Sequence, residues 1–282
     1  MSAVGGQALI EGVMMKGKKY ISRAVYSVKG NLIVDRFEFI SLSDKYRILK
    51  LPFVRGIFNL VDMLKIGMDS LMYSIKISMG EEEQLNKGEF SFSFVLSMII
   101  SVGLFLVLPA IFFKYARDFG IDNIVFLNML EGGLKLVIFF IFLVTTLFMK
   151  DMRELYRYHG AEHKAVHAHE AGLPLTVENV RKFSTIHQRC GTAFIAVVIL
   201  VSVIMFSFMG YLTILQRVLL KLLLMPVIVG VAYELIRISG KLGKFWFLNV
   251  FIWPGLFLQK ITTSEPTDKE IKAAIAAIKE VI

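Results

Sequence analysis

The sequence predicts a mainly α-helical polytopic membrane protein with a small N-terminal antiparallel β-sheet, and three observations lead there. The chain of 282 residues is 56% hydrophobic and only 20% charged, against about 45–50% and about 25% in soluble domains. It contains long uncharged runs, 22 residues from Phe92 to Phe113 and 24 from Ala193 to Gln216, where a helix needs about 20 to cross a hydrocarbon core. Its 32 Lys+Arg and 23 Asp+Glu are gathered between the apolar runs. Disorder is excluded by 24 Phe and a mean hydropathy of +0.64. A single Cys excludes an intramolecular disulfide framework.

Each element follows in order. Residues 1–50 form a β-rich region: Gln7 to Met15, Tyr20 to Val28 and Leu32 to Phe39 read as strands, with Lys29-Gly30-Asn31 as a hairpin turn. Residues 51–91 follow. There Leu51 to Met79 has apolar residues at helical spacing with charges among them, which suits a helix on the membrane surface or against the bundle. Glu81-Glu82-Glu83 opens a solvated linker. Residues 92–149 hold transmembrane helices 1 and 2, the second being Leu134 to Met149, short and carrying a Lys135 able to snorkel. Residues 150–192 are a His-rich loop. Residues 193–258 hold helices 3 and 4, with Val218 to Ile236 as the fourth, and then Phe245 to Leu258. That last segment, broken by Pro254-Gly255, reads as interfacial or re-entrant. In residues 259–282, Thr267 and Glu270 make a capping box for a helix whose Ile271, Ile275, Ile278 and Ile282 share an apolar docking face.

About four spans leave both termini on one side, and the basic residues choose which. Residues 1–91 carry 13 Lys+Arg and 150–191 carry seven, while 114–135 carries three. This alternation places both termini and the 150–191 loop in the cytoplasm of a multi-pass protein of the cell membrane. The bilayer is then its first partner, and the positive charge belongs to cytoplasmic loops. Nothing marks a specific nucleic-acid site; an oligomer is compatible with the sequence.

The chemistry is concentrated in His159-Gly160-Ala161-Glu162-His163, an H-x-x-E-H sequence. On a helix, residues four apart project from one face, so two imidazoles can converge on one metal ion, with Glu162 beside them to take a proton from water. This is the pattern of inverzincin metallopeptidases, and it points to Zn²⁺ or another divalent transition metal. Two imidazoles need a third ligand. Glu234 is the favoured candidate because it lies at the cytoplasmic end of its span, level with the loop; Glu170, His187 and Cys190 are the others. His167 continues the same helix face, although it and His169 also suit plain loop residues. Glu234 can alternatively pair with Arg237 at i+3, and Cys190 can be a small buried hydrophobe.

Around these residues the chain resembles the YqhQ-like family of bacterial membrane proteins, a domain-of-unknown-function family in which metal-dependent enzyme activity is inferred. The resemblance covers nearly the whole chain. It rests on Gly5-Gly6-Gln7-Ala8-Leu9-Ile10-Glu11-Gly12, Tyr158 through Lys164, Thr176 through Val180, His187-Gln188-Arg189-Cys190-Gly191-Thr192, Tyr233 through Arg237, and Pro254-Gly255 through Gln259 to Pro266. It implies that Glu11, Arg189 and the Gln259 to Glu265 turn belong near the site, with the sheet folded over the metal loop or Glu11 simply facing solvent.

The expected function is therefore a cytoplasm-facing metallohydrolase for peptide or amide bonds, with a substrate or protein partner at the membrane surface. His159, His163 and Glu234 would hold the metal and Glu162 would be the base. Two rivals remain open: a membrane scaffold or ion-handling protein with a closed His159/His163/His187/Cys190 shell, and an acyl-transfer enzyme using Cys190 with His187 as base.

Overall fold

A computed structural model describes residues 4–80, 87–187, 190–241 and 246–282. Four strands form an antiparallel meander, β1 Gly5–Leu9, β2 Gly12–Lys16, β3 Tyr20–Tyr26 and β4 Leu32–Glu38. The run Gln7 to Met15 is thus two strands, not one. Leu9 pairs with Gly12, and the two-residue turn between them puts Glu11 at φ 56°, a left-handed conformation uncommon outside Gly and Asn. Glu11 sits in a turn, where it had been expected in a strand. The turn at Lys29-Gly30-Asn31 forms as expected, with Gly30 at φ 79°.

The sheet is covered on both faces. Val13, Met15 and Ala24 pack with Tyr158, Ala161, Ile271 and Ile278, while Leu9, Met14, Ile21 and Val25 pack with Ile66. Those partners lie on α6 Lys150–Glu170 and α11 Asp268–Lys279 on one side, and on α2 Val54–Met79 on the other. Burial on both faces explains why β2 and β3 lack polar alternation. The capping box of α11 forms, and Ile271, Ile275 and Ile278 are buried. Ile282 lies past the helix and is exposed, so it drops out of the docking face.

A short α1, Leu42–Lys45, leads through a 3-10 turn into α2. Next come α3 Lys87–Val102 and α4 Leu108–Asp118, joined by a π-type turn. α5 Ile124–Thr146 precedes α6, and α7 Val177–Arg181 follows it. α8 Gly191–Ser207, α9 Ile214–Lys241 and α10 Trp246–Thr262 complete the chain before α11. The linker Glu81-Glu82-Glu83 lies outside the described residues.

Three helices among the described residues are long and apolar enough to cross a membrane: Ser91–Asp118, Ile124–Thr146 and Ile214–Ile238. The run from Ala193 to Gln216 is not one helix. α8 ends after 17 residues, and α9 begins with its own cap, Thr213 N–H to Gln216 Oε1 at 3.0 Å and Gln216 N–H to Thr213 Oγ1 at 3.3 Å. That reciprocal pair is a capping box sitting inside an uncharged run, where hydropathy alone hides it. The second span starts ten residues before Leu134, capped by Asn123, which accepts from the Phe126 N–H. Its Lys135 does not snorkel; it faces inward, 3.6 Å from Glu131 and over the Phe206 ring. Pro254-Gly255 does not break the final apolar segment, which runs as one helix through both residues. A Cβ on Gly255 would meet the Ala193 Cα at 2.5 Å, so the missing side chain is what lets α10 lie against α8.

Candidate metal centre

α6 is polar in sequence yet buried along most of its second half, Gly160 to Val166 without a break. Burying that many polar groups is costly unless each finds a partner, so their partners define the site. β1 crosses α6 closely at Gly6. A Cβ there would fall 2.8 Å from the Glu162 Cγ, and the Gly6 N–H is hydrogen-bonded to the Glu162 carboxylate. From the other side comes the turn after α10. The Ser264 N–H donates to the Tyr156 carbonyl at 2.9 Å, and a Cβ on Gly160 would sit 2.2 Å from the Ser264 carbonyl oxygen. Gly160→Ala is therefore expected to lower stability by about 1–3 kcal/mol. Thermal unfolding in detergent checks this against Gly133→Ala, where an added Cβ meets nothing within 4 Å.

This packing fixes both imidazoles. The His159 Nδ1–H donates to the Thr262 carbonyl at 2.8 Å, and the His163 Nδ1–H donates to the Thr185 carbonyl at 2.5 Å. A carbonyl only accepts, so both rings are held in the tautomer that leaves a lone pair on Nε2. The rings are 4.4 Å apart, centroid to centroid. His159 Nε2 faces Cys190 Sγ at 3.1 Å, and His163 Nε2 is buried with no hydrogen-bond partner among the described residues. Cys190 caps α8, at the positive end of the helix dipole.

One donor atom from each of His159, His163 and Cys190 lies within 4.8 Å of the other two. A tetrahedral zinc site has N–N and N–S edges of about 3.4–3.6 Å, given its bond lengths, so side-chain adjustments of about 1 Å would close it. Imidazole tautomers locked through Nδ1 to backbone carbonyls are the usual support of a metal site. The residues present fit a borderline-soft divalent ion. Glu162 lies alongside, its Oε2 3.8 Å from His163 Nε2. Burial raises its carboxyl above the usual range, opposed by His159 and the Gly6 N–H.

The other expected residues distribute themselves as follows. Glu234, the favoured third ligand, is instead bound by Arg55, whose Nε donates at 2.7 Å, and by the Phe53 N–H at 3.2 Å. Its carboxylate fastens α2 to α9 and takes no part in the imidazole group; Cys190 fills that corner. The alternative pairing of Glu234 within its helix named the right role but the wrong arginine. Glu11 accepts from the Tyr158 hydroxyl at 3.1 Å and from Lys269 at 2.5 Å. The sheet does fold over the loop, but what it brings to Glu162 is a backbone N–H, not the Glu11 carboxylate. His187 lies beside Glu170, Nε2 to Oε2 3.2 Å, with its ring 4.5 Å from His167 and 5.8 Å from His163. Burial pushes the His187 imidazole down to about 4 despite Glu170. Cys190 Sγ meets the His159 imidazole, whereas His187 Nε2 meets Glu170. Arg189 lies outside the described residues.

Sequence reasoning missed the Thr185 and Thr262 carbonyls, which carry no side-chain signature. It met Gln259 only through the resemblance. This fully buried amide accepts from the His187 N–H at 2.8 Å and donates to the His187 carbonyl at 2.9 Å, clamping the loop to α10. A buried Gln in an apolar helix was the available signal.

An uncharacterized protein, YqhQ of Bacillus subtilis (strain 168), is 30% identical over 299 residues, covering 99% of this chain and 92% of its own length. No solved structure matches. The family model described as "Protein of unknown function (DUF1385)" matches residues 51–282, and the chain belongs to that family.

Proposed function

We propose that this protein is a membrane-embedded, metal-dependent hydrolase that cleaves peptide or amide bonds at the cytoplasmic surface. The observation that carries the reading is the His163 Nε2 lone pair, buried, unpartnered among the described residues and held beside His159 and Cys190. Leaving an acceptor buried and unsatisfied costs about 1–3 kcal/mol, which binding a cation would repay. His159, His163 and Cys190 would hold the ion, and three protein ligands leave a position open to substrate, as catalytic sites require. When bound, a divalent ion such as Zn²⁺ polarises a carbonyl and lowers the pKa of water to about 7. Glu162 takes the proton as the water oxygen adds to the carbonyl carbon, then gives it to the departing nitrogen as the C–N bond breaks. Gly6 holds that carboxylate by its N–H.

Packing supports a cytoplasmic placement. The sheet, α6 and α11 form one body, so an even number of crossings must separate each from the next. Ser91–Asp118 and Ile124–Thr146 supply two between the sheet and α6. Among the described residues between α6 and α11 only Ile214–Ile238 qualifies by length, so a second crossing is needed, and α8 is the best candidate. It begins near Leu143 and Leu258 through Ala196, and at its far end Asn128 Nδ2 donates to the Ser207 carbonyl at 3.1 Å. It therefore spans the same depth as α5 from Leu143 to Asn128. With four crossings, the distribution of basic residues would favour a site on the cytoplasmic side.

Elemental analysis of the detergent-purified full chain tests the metal assignment. Wild type is expected to carry zinc, and His159→Ala, His163→Ala and Cys190→Ser to lose tenfold or more in zinc affinity, as loss of a ligand should cost at least the ~10–100-fold of an outer partner. Zinc content unchanged in all three would overturn it.

A further inference from the structure

α6 presents a second constellation one turn beyond the first. His167, Glu170 and His187 each place one donor atom within 4.8 Å of the other two. The arrangement resembles that of the first group: two donors from one face of α6, at i and i+4 in the first and at i and i+3 in the second, meet a residue that lies between α7 and α8 in sequence. Cys190 stands opposite His159 and His163, and His187, three residues earlier, stands opposite His167 and Glu170.

The same supporting contacts recur. The His167 Nε2–H donates to the Ile186 carbonyl at 2.9 Å, which fixes its tautomer, and its ring stacks on Phe183 at 6.1 Å and 9°. His187 is held at both backbone polar groups by Gln259. Its Nε2 lies 3.2 Å from Glu170 Oε2, close to the edge of about 3.4 Å between N and O ligands on one tetrahedral ion. Glu170 is the most exposed of the three, with 31% of its side chain accessible, so the group opens toward solvent while its imidazoles stay covered. Ion pairing of Glu170 with His187 alone would account for that one contact. It does not account for a second imidazole, that of His167, held in a fixed tautomer against the pair.

We propose that His167, Glu170 and His187 form a second divalent-cation site, so that the loaded protein holds two ions side by side along α6. The proposal rests on the metal reading of the first site and extends it. The first site offers nitrogen and sulfur, the second nitrogen and carboxylate oxygen, a harder set.

Metal titration of the metal-stripped full chain in detergent tests it, with Zn²⁺ for stoichiometry and Co²⁺ for spectra. Wild type is expected to take up two equivalents. Glu170→Gln and His167→Ala are expected to take up one, and their Co²⁺ forms to keep the thiolate-to-cobalt charge-transfer band that reports Cys190. Cys190→Ser is expected to lose the band while still filling the second site. A wild type that binds one equivalent, with Glu170→Gln and His167→Ala unchanged, overturns the second site and leaves the first standing. Two equivalents retained in both variants would also overturn it, by placing the second ion elsewhere. No uptake by wild type would sink both readings together.

Discussion

Glu162→Gln is expected to bind zinc as wild type does while losing about 10²–10⁴-fold in hydrolytic rate, the usual contribution of a positioned proton carrier. The amide keeps the shape of the carboxylate and its acceptor oxygen for the Gly6 N–H, so the fold should be spared. What it cannot do is accept a proton from water or return one to the leaving nitrogen. The measurement is turnover of quenched-fluorescent peptide libraries by protein in liposomes, with zinc content read on the same samples. Loss of zinc along with activity would make Glu162 a ligand. A wild type that cleaves nothing in the libraries would remove the peptide-hydrolase reading while leaving the metal site intact.

Glu131→Gln is expected to destabilise the membrane bundle by about 3–5 kcal/mol, the cost of removing one partner from a buried ionic group. Glu131 is 1% exposed, and its carboxylate meets Arg217 at 2.7 Å, Lys135 at 3.6 Å and Lys221. Asn128 joins the same network through Arg217 and donates to the Met209 carbonyl at 2.8 Å. One carboxylate thus answers three cations between α5 and α9. Without it, like charges face one another in apolar surroundings. Unfolding titrations in mixed micelles measure the loss, against Glu178→Gln on the exposed face of α7, expected to stay within about 0.5 kcal/mol. A cost below that of the control would mean the three cations are neutralised by something other than Glu131.

The parts of this architecture visible in the sequence are those written in local pattern. The capping box of Thr267 and Glu270, the turn at Gly30 and the helical spacing of His159 and His163 are each complete within a few residues, and each forms. The run from Ala193 to Gln216 is longer than the helix it forms, because the cap at Thr213 is polar in hydrogen bonding but not in charge. Glu234 was misplaced for a different reason. Its depth in the membrane was read from the span, yet its partner Arg55 lies 179 residues earlier, and depth says nothing about azimuth. The closeness of Cys190 to His159 also depends on a contact across 31 residues, set by how α8 docks on α10 at Gly255. Spacing within one helix is legible; the direction from which another helix arrives is not.

The walls of α6 come from segments made at very different times. Gly6 reaches Glu162 from the start of the sequence, whereas Ile271 and Ile278 of α11 seal the same helix, and the Ser22 hydroxyl donates to the Ala277 carbonyl at 2.5 Å. A ribosome therefore delivers the meander, the motif helix and the apolar hairpins long before it delivers the closing element. Until α11 emerges, the buried half of α6 lacks one of its walls.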